Sequence, residues 1–365
     1  MPNFKNNTIT LTQFSLLLYG TQSGIGILSL PRDLAEIGDT SSWIALFIGY
    51  GLSVLASILI VQVMKNYPGD TIIQLFKRFF GKWLGSFLSV CWIVYTTFGM
   101  FLITVTTIFI INTWVLPKTA PYLILLIITI PSFYLARNGL RIISRFSVLV
   151  FLFTSWMAIL FMYPMFTGNL LHLLPIIKDG IMPILKSVPN ITFSFLGIEL
   201  LFIIYPFLED KSKAVKGILI ANGITLLSYL VVTFSSFIYY GPYEVVEYVW
   251  PTLNLVKPIE FPFLERFEII FLSFYLLILA TTGIPYYFAS SFSIAQLLGR
   301  KDHQLALLFL LPVVYISFFF FTNSLTNLDK LGNIFNKVGL GIAFILPVLL
   351  LFYGWVFRLF RREKT

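Results

Sequence analysis

Apolar runs long enough to cross a bilayer recur from one end of this chain to the other, and the short polar clusters between them hold most of its charge. A hydrocarbon core about 30 Å thick needs roughly 20 helical residues. Runs of that length lie near 10–37, 41–64, 84–114, 120–136, 142–166, 184–208, 215–240, 262–293, 304–322 and 333–357. The chain is 58% hydrophobic and only 11% charged, with a mean hydropathy of +0.89, whereas soluble domains carry about 25% charged residues. These features specify an all-α integral membrane protein with ten transmembrane helices.

Orientation follows from lysine and arginine, which favour cytoplasmic loops. With the N-terminus inside, the inside segments take most of the 25 basic residues, among them Lys5, Lys77, Arg78, Arg141, Lys211, Arg361 and Arg362. Acidic residues run the other way, with Glu244, Glu247, Glu260, Glu265 and Glu268 outside. Both termini are therefore expected in the cytoplasm. Met1–Thr8 holds only Lys5 as a basic residue, and no small-residue cleavage site follows, so the first span reads as a retained anchor. The net charge of +9 is a topology signal plus attraction to membrane lipid, not a sign of nucleic-acid binding.

Ten spans divide as five plus five, and an odd number per half makes the second half enter from the opposite side, an inverted repeat. The expected organisation is one polytopic membrane domain over 1–365, with repeat one at about 8–166, repeat two at about 184–357 and a cytoplasmic basic tail at 358–365. The segment 71–80 fits a short interfacial helix after span two. The loop 242–258 occupies the equivalent position in the second half.

Two spans are interrupted by glycine in mid-membrane, and they head the two halves. The first reads Gly20-Thr21-Gln22-Ser23-Gly24-Ile25-Gly26-Ile27-Leu28-Ser29-Leu30-Pro31; the second reads Thr192-Phe193-Ser194-Phe195-Leu196-Gly197-Ile198-Glu199, with Pro206 beyond it. Backbone leaves the helical path inside a bilayer only where protein or a water-filled cavity satisfies its polar groups, and paired breaks in two repeats point to a substrate site. Free amides at a new helix N-terminus favour a carboxylate, and the carbonyls ending the preceding half-helix favour an ammonium. The competing reading of the first break is close helix packing, because Gly20 and Gly24 also make a small-xxx-small pattern.

Glu199 is the acidic residue placed well inside an apolar span, where a carboxylate is functional by default. It pairs with a substrate amine, takes up a proton or hydrogen-bonds the freed backbone; the sequence leaves these open. Tyr95, Thr96, Thr97 and Gly99 in span three, and Thr281, Thr282 and Gly283 in span eight, are cavity candidates or packing residues. Cys91 reads as a small buried hydrophobe and excludes an intramolecular disulfide. His172 and His303 fall in different loops, so no metal site is expected. Hydrolase, zinc and phosphate-loop motifs are absent from the sequence, which argues against an enzyme and against a cofactor.

The strings Gly24-Ile25-Gly26-Ile27-Leu28-Ser29-Leu30-Pro31, Gly81-Lys82-Trp83-Leu84-Gly85, Ser194-Phe195-Leu196-Gly197-Ile198-Glu199, Trp250-Pro251-Thr252 and Leu264-Glu265-Arg266-Phe267-Glu268, in this order, resemble the B subunits of spore germinant receptors. The resemblance implies the amino acid–polyamine–organocation transporter superfamily and a leucine-transporter-like fold with helices 1 and 6 broken. It implies an A-type subunit and a lipoprotein C-type subunit as partners in the spore inner membrane, and a small-molecule germinant, either an amino acid, a sugar or a nucleoside. By motif, the ligand site comprises Ser23, Gly24, Ile25 and Gly26 with Phe193, Ser194, Phe195, Leu196, Gly197 and Glu199, joined by Gly99, Thr281 and Thr282. The expected function is germinant sensing. A proton- or sodium-coupled amino-acid permease is the alternative.

Overall fold

A computed structural model of the chain describes residues 7–177, 180–259 and 266–362. The expectations placed on Lys5, Glu260, Leu264 and Glu265, and on the last residues of the tail, lie outside the described residues.

The first break divides α1 (Leu11–Gln22) from α2 (Gly26–Gly38). Thr10 starts α1 through a capping box. Its hydroxyl accepts from the Gln13 amide at 3.4 Å, and the Gln13 side chain accepts from the Thr10 amide at 3.0 Å. There follow α3 (Ala45–Lys65), α4 (Ile72–Trp114), α5 (Pro121–Arg137), α6 (Leu140–Thr154) and α7 (Trp156–Thr167). The second half holds α8 (Met182–Ser194), α9 (Leu201–Ile204), α10 (Ala214–Val245), α11 (Pro251–Asn254), α12 (Phe267–Leu297), α13 (Gln304–Phe319), α14 (Leu325–Leu340) and α15 (Leu346–Arg362). Gly81, at φ 74°, separates the expected short helix after span two from the long one that follows within α4.

Among the described residues, six helical stretches are long and apolar enough to cross a membrane, and a seventh is the pair Met182–Ser194 and Ile198–Phe207, which meet at 46°. The shorter apolar helices α5 and α13 add two, and since the stretch Gly26–Lys65 holds both α2, which continues α1, and α3, the set is compatible with the ten-span expectation. Span ten begins earlier than its expected start at 333. Asp329, Lys330 and Asn333 depress the hydropathy there, yet they sit on α14, which continues through a π-helical turn at Gly341–Ile345 into α15. Cys91 is exposed rather than buried. An apolar span in a membrane protein can turn a face to lipid, so apolar surroundings in sequence do not imply the interior.

Buried apolar side chains form two clusters. One gathers Phe14, Leu17, Tyr95, Phe202 and Phe288 at the end of the bundle nearer the N-terminus. The other gathers Leu28, Leu46, Tyr229 and Tyr275. Thus α1 belongs to one cluster and α2 to the other, and the break lies between them. At the N-terminal end Ile9 pairs with the chain leaving the second broken helix: its amide donates to Phe207 (2.9 Å), and its carbonyl accepts from Glu209 (3.1 Å).

The two breaks touch. Gly197 has φ +110°, and a Cβ there would lie 2.6 Å from the Thr21 carbonyl oxygen. Gly197→Ala is expected to destabilise the protein by about 1–3 kcal/mol through backbone strain, read as a lower thermal unfolding midpoint in detergent. Gly223→Ala, at a helical glycine with nothing within 4 Å of the added carbon, is expected to leave the midpoint unchanged or raise it, since alanine favours helix by about 1 kcal/mol.

Candidate solute site between the broken helices

The backbone released at the breaks is met by hydroxyl groups from neighbouring helices. Tyr229 of α10 lies between both broken helices, its hydroxyl 3.0 Å from the Gln22 carbonyl and 2.6 Å from that of Ser194. Tyr275 of α12 donates to the Gly24 carbonyl (2.7 Å), and Thr282 donates to that of Gly20 (2.7 Å). Thr252 of α11 donates to Ile27 (2.8 Å). Carbonyls expected to attract an ammonium are therefore largely engaged by protein donors. Gln22 is itself held, donating to Asn222 (3.1 Å) and accepting from Thr225 (2.5 Å). The amides are in the opposite condition. None of Gly24, Ile25, Gly26 or Ile27 donates to another described residue, and no side chain caps α2. An anionic group would find them unpaired.

A cavity of about 490 Å³ opens beside these amides. Gly24, Ile25 and Gly26 line it at the first break, Phe193, Ser194 and Leu196 line it at the second, and Thr282 joins from α12. From the breaks it extends along α2 and α14 to Val249, Trp250 and Leu325, at the end of the bundle away from the N-terminus. The glycines divide by role. A Cβ on Gly20 would meet Thr281 at 2.9 Å and one on Gly24 would meet Thr282 at 2.5 Å, so both allow α12 to pack closely. At Gly26 the nearest atom is the Ser194 hydroxyl at 3.4 Å, an ordinary contact with another cavity-lining residue.

Other sequence candidates stand behind the lining. Ser23 is buried and donates its hydroxyl to Tyr19 (3.0 Å). Phe195 is buried edge-on against the Tyr229 ring at 5.2 Å. Thr281 donates to Ile278 within its own helix. Gly99 lies against the Phe335 and Tyr286 rings, both of which line the cavity. Glu199 is fully buried beneath it. One carboxylate oxygen accepts from Tyr95 (2.8 Å) and Tyr286 (2.6 Å), and the other accepts from the Gly197 amide (2.8 Å). Tyr95 stacks on Phe335 with ring centroids 5.0 Å apart. Glu199 thus holds the second break and reaches the cavity through Tyr286.

Several cavity residues were not singled out from sequence. Ser29, Arg32, Asp33 and Glu36 line it from α2, and Asp329, Gly332, Asn333 and Asn336 line it from α14. Each set follows the i, i+3, i+4, i+7 spacing of one helical face, which was the available signal. Ser29 donates to Asp33 (2.9 Å), and Arg32 pairs with Glu36 (2.8 Å). Among the tyrosines, Tyr95 stands out in span three and indeed reaches Glu199, whereas Tyr229, Tyr275 and Tyr286 carry no such signal in a chain with 18 tyrosines.

Comparison with known proteins agrees with this architecture. Residues 8–326 match the spore permease family, described as spore germination protein. The chain is 30% identical over 355 residues to the spore germination protein YndE of Bacillus subtilis (strain 168), covering 94% of this chain and 95% of that protein. MhsT, solved in complex with L-phenylalanine, superposes with a TM-score of 0.67 at 12% identity, covering 96% of this chain and 90% of MhsT. A substrate-bound, outward-open sodium-coupled sialic acid symporter superposes with a TM-score of 0.68 at 11% identity, covering 93% and 78%. At such identities the structural likeness establishes a shared fold. This multi-pass membrane protein, built on a transporter fold, belongs to the spore germination protein family.

Proposed function

We propose that the chain is the germinant-binding membrane subunit of a spore germination receptor, and that a small zwitterionic solute, an amino acid in the first instance, occupies the cavity between the broken helices. The observation that carries this reading is the cavity's position. It lies against the unpaired amides of the first break, level with the second, and on the side toward the N-terminal end lie the Asn222–Gln22–Thr225 bonds and, beyond them, the Ile9 pairing. A carboxylate placed on the α2 amides would leave its ammonium facing the stripe that holds Asp33, with Asp329 on the opposite wall. A nucleoside would use the same amides with neutral acceptors.

In this reading Ser23, Phe195, Gly197, Gly99 and Thr281 shape the site from behind, and the cavity-lining candidates touch the solute. Glu199 couples the site to the second break: a solute that shifts Tyr286 disturbs a carboxylate that also holds the Gly197 amide. Binding changes the state of the protein only through different affinity for its two states, and A-type and C-type partner subunits read that difference. With the N-terminus on the core side of the spore inner membrane, the cavity faces outward, toward an arriving nutrient.

The fold shared with a sodium-coupled symporter favours one competing reading, a coupled amino-acid permease. The two readings separate in reconstituted vesicles, where a permease accumulates solute and a receptor subunit binds it without uptake.

Gly26→Trp directs a large side chain into the cavity. Spores carrying it in place of wild type are expected to need at least about tenfold more germinant for the same response, equivalent to about 1.4 kcal/mol of binding, with the protein present in the membrane at normal level. An unchanged dose-response would remove the solute from this cavity. Glu199→Gln replaces one acceptor oxygen with a donor facing the Gly197 amide or the tyrosines, an expected loss of about 1–3 kcal/mol. Thermal unfolding with and without germinant measures it; unaltered stability together with an unaltered ligand-induced shift would deny Glu199 the coupling role.

A further inference from the structure

A second cavity, of about 220 Å³, lies on the other side of α4 from the solute cavity, between α4, α5, α6 and α12. Ile103 lines both and forms the partition. The second cavity is apolar in chemistry as well as composition, because its hydroxyls are already satisfied. Thr104 bonds Tyr287 (2.9 Å) and donates to Met100, Thr107 donates to Ile103 (2.7 Å), and Ser132 donates to Ile128 (2.8 Å). Nothing here offers a polar solute a partner, and an apolar cavity of this kind does not hold water.

Its mouth identifies the occupant. Ile128, Leu135, Phe146, Leu276 and Ala280 are half-buried, and Pro131 is exposed. The opening therefore lies on the outer surface of helices that span the membrane, where the neighbouring molecules are lipid chains. An unfilled void forfeits dispersion contacts along its walls. We propose that this groove is a lipid site, filled by one acyl chain of a bilayer phospholipid inserted between α5, α6 and α12. The chain packs against the rear of the wall whose front, at Leu102, Ile103 and Thr106, lines the solute cavity. Lipid occupancy thereby supports the solute site from behind, whether that site senses or transports.

The test uses the full chain in phosphatidylglycerol–phosphatidylcholine vesicles that contain a phosphatidylcholine with a diazirine in mid-chain. After irradiation, peptide mass spectrometry maps the adducts. Labelling of the peptides holding Ile128–Leu135 and Leu276–Gly283 is expected to exceed several-fold that around Phe309 and Phe319, exposed apolar residues of α13 outside the groove. Ala280→Phe, which places a ring at the mouth, is expected to bring groove labelling down to the α13 level and leave α13 labelling unchanged. Native mass spectrometry of wild type should show a retained phospholipid that Ala280→Phe loses. Equal labelling of groove and α13 in wild type overturns the proposal without recourse to a variant. Groove labelling that persists in correctly inserted Ala280→Phe overturns it too, as does a retained apolar molecule other than a lipid.

Discussion

Backbone that leaves a helix inside a membrane must find new hydrogen-bond partners there, and the arrangement of this protein follows from how that requirement is met. The Tyr229 hydroxyl lies between the carbonyls of Gln22 and Ser194 and so ties the first broken helix to the second. Tyr275, Thr282 and Thr252 attend to neighbouring carbonyls of the first break, and Glu199 attends to the amide of Gly197. Each of these partners comes from a helix or turn that must then stay where it is. The close approach of α12 to α1 at Gly20 and Gly24 is one consequence. Contact between Gly197 and Thr21 is another.

The same requirement explains why the site is asymmetric. Protein hydroxyls engage the Gly20, Gln22 and Gly24 carbonyls at the first break, while the amides of the cavity-lining Gly24, Ile25 and Gly26 have no acceptor among the described residues. The pre-organised element is therefore the positive end of α2. Any cationic part of a solute must look further along the cavity, to the polar faces of α2 and α14. Beneath the cavity, the Tyr286–Glu199–Tyr95 bonds and the Tyr95–Phe335 stack connect the lining to buried structure. A buried network of this kind has few ways to rearrange without losing partners, which suits the reporting role proposed for it.

The breaks were legible in the sequence because glycine inside an apolar run conflicts with helix continuity at those places. Glu199 was legible because a carboxylate has no reason to sit in hydrocarbon unless something holds it. The helical membrane fold itself follows from run length. Three things were not legible. Gly24 and Gly26 look alike in sequence, but only three-dimensional packing presses Thr282 against the Cβ position of one and leaves the other in ordinary contact with Ser194. The first part of the polar stripe on α14, Asp329 and Gly332, fell outside the expected span, since hydropathy averages a face turned to a cavity with the faces around it. Cys91 looked like core, because apolar sequence in a membrane protein marks the lipid-facing surface as well as the interior.

The most direct test of the central claim, that solute enters between the broken helices, is protection of a cysteine placed there. Ser194 lines the cavity, and Cys91 is the single native cysteine. In a Cys91→Ser background, Ser194→Cys should react with a small polar thiosulfonate reagent. A germinant that triggers spores carrying the gene should slow that reaction at the concentrations that trigger them, while related solutes that do not trigger germination leave the rate unchanged. Reaction that is equally fast at saturating germinant, in a protein that still supports germination, would contradict the account.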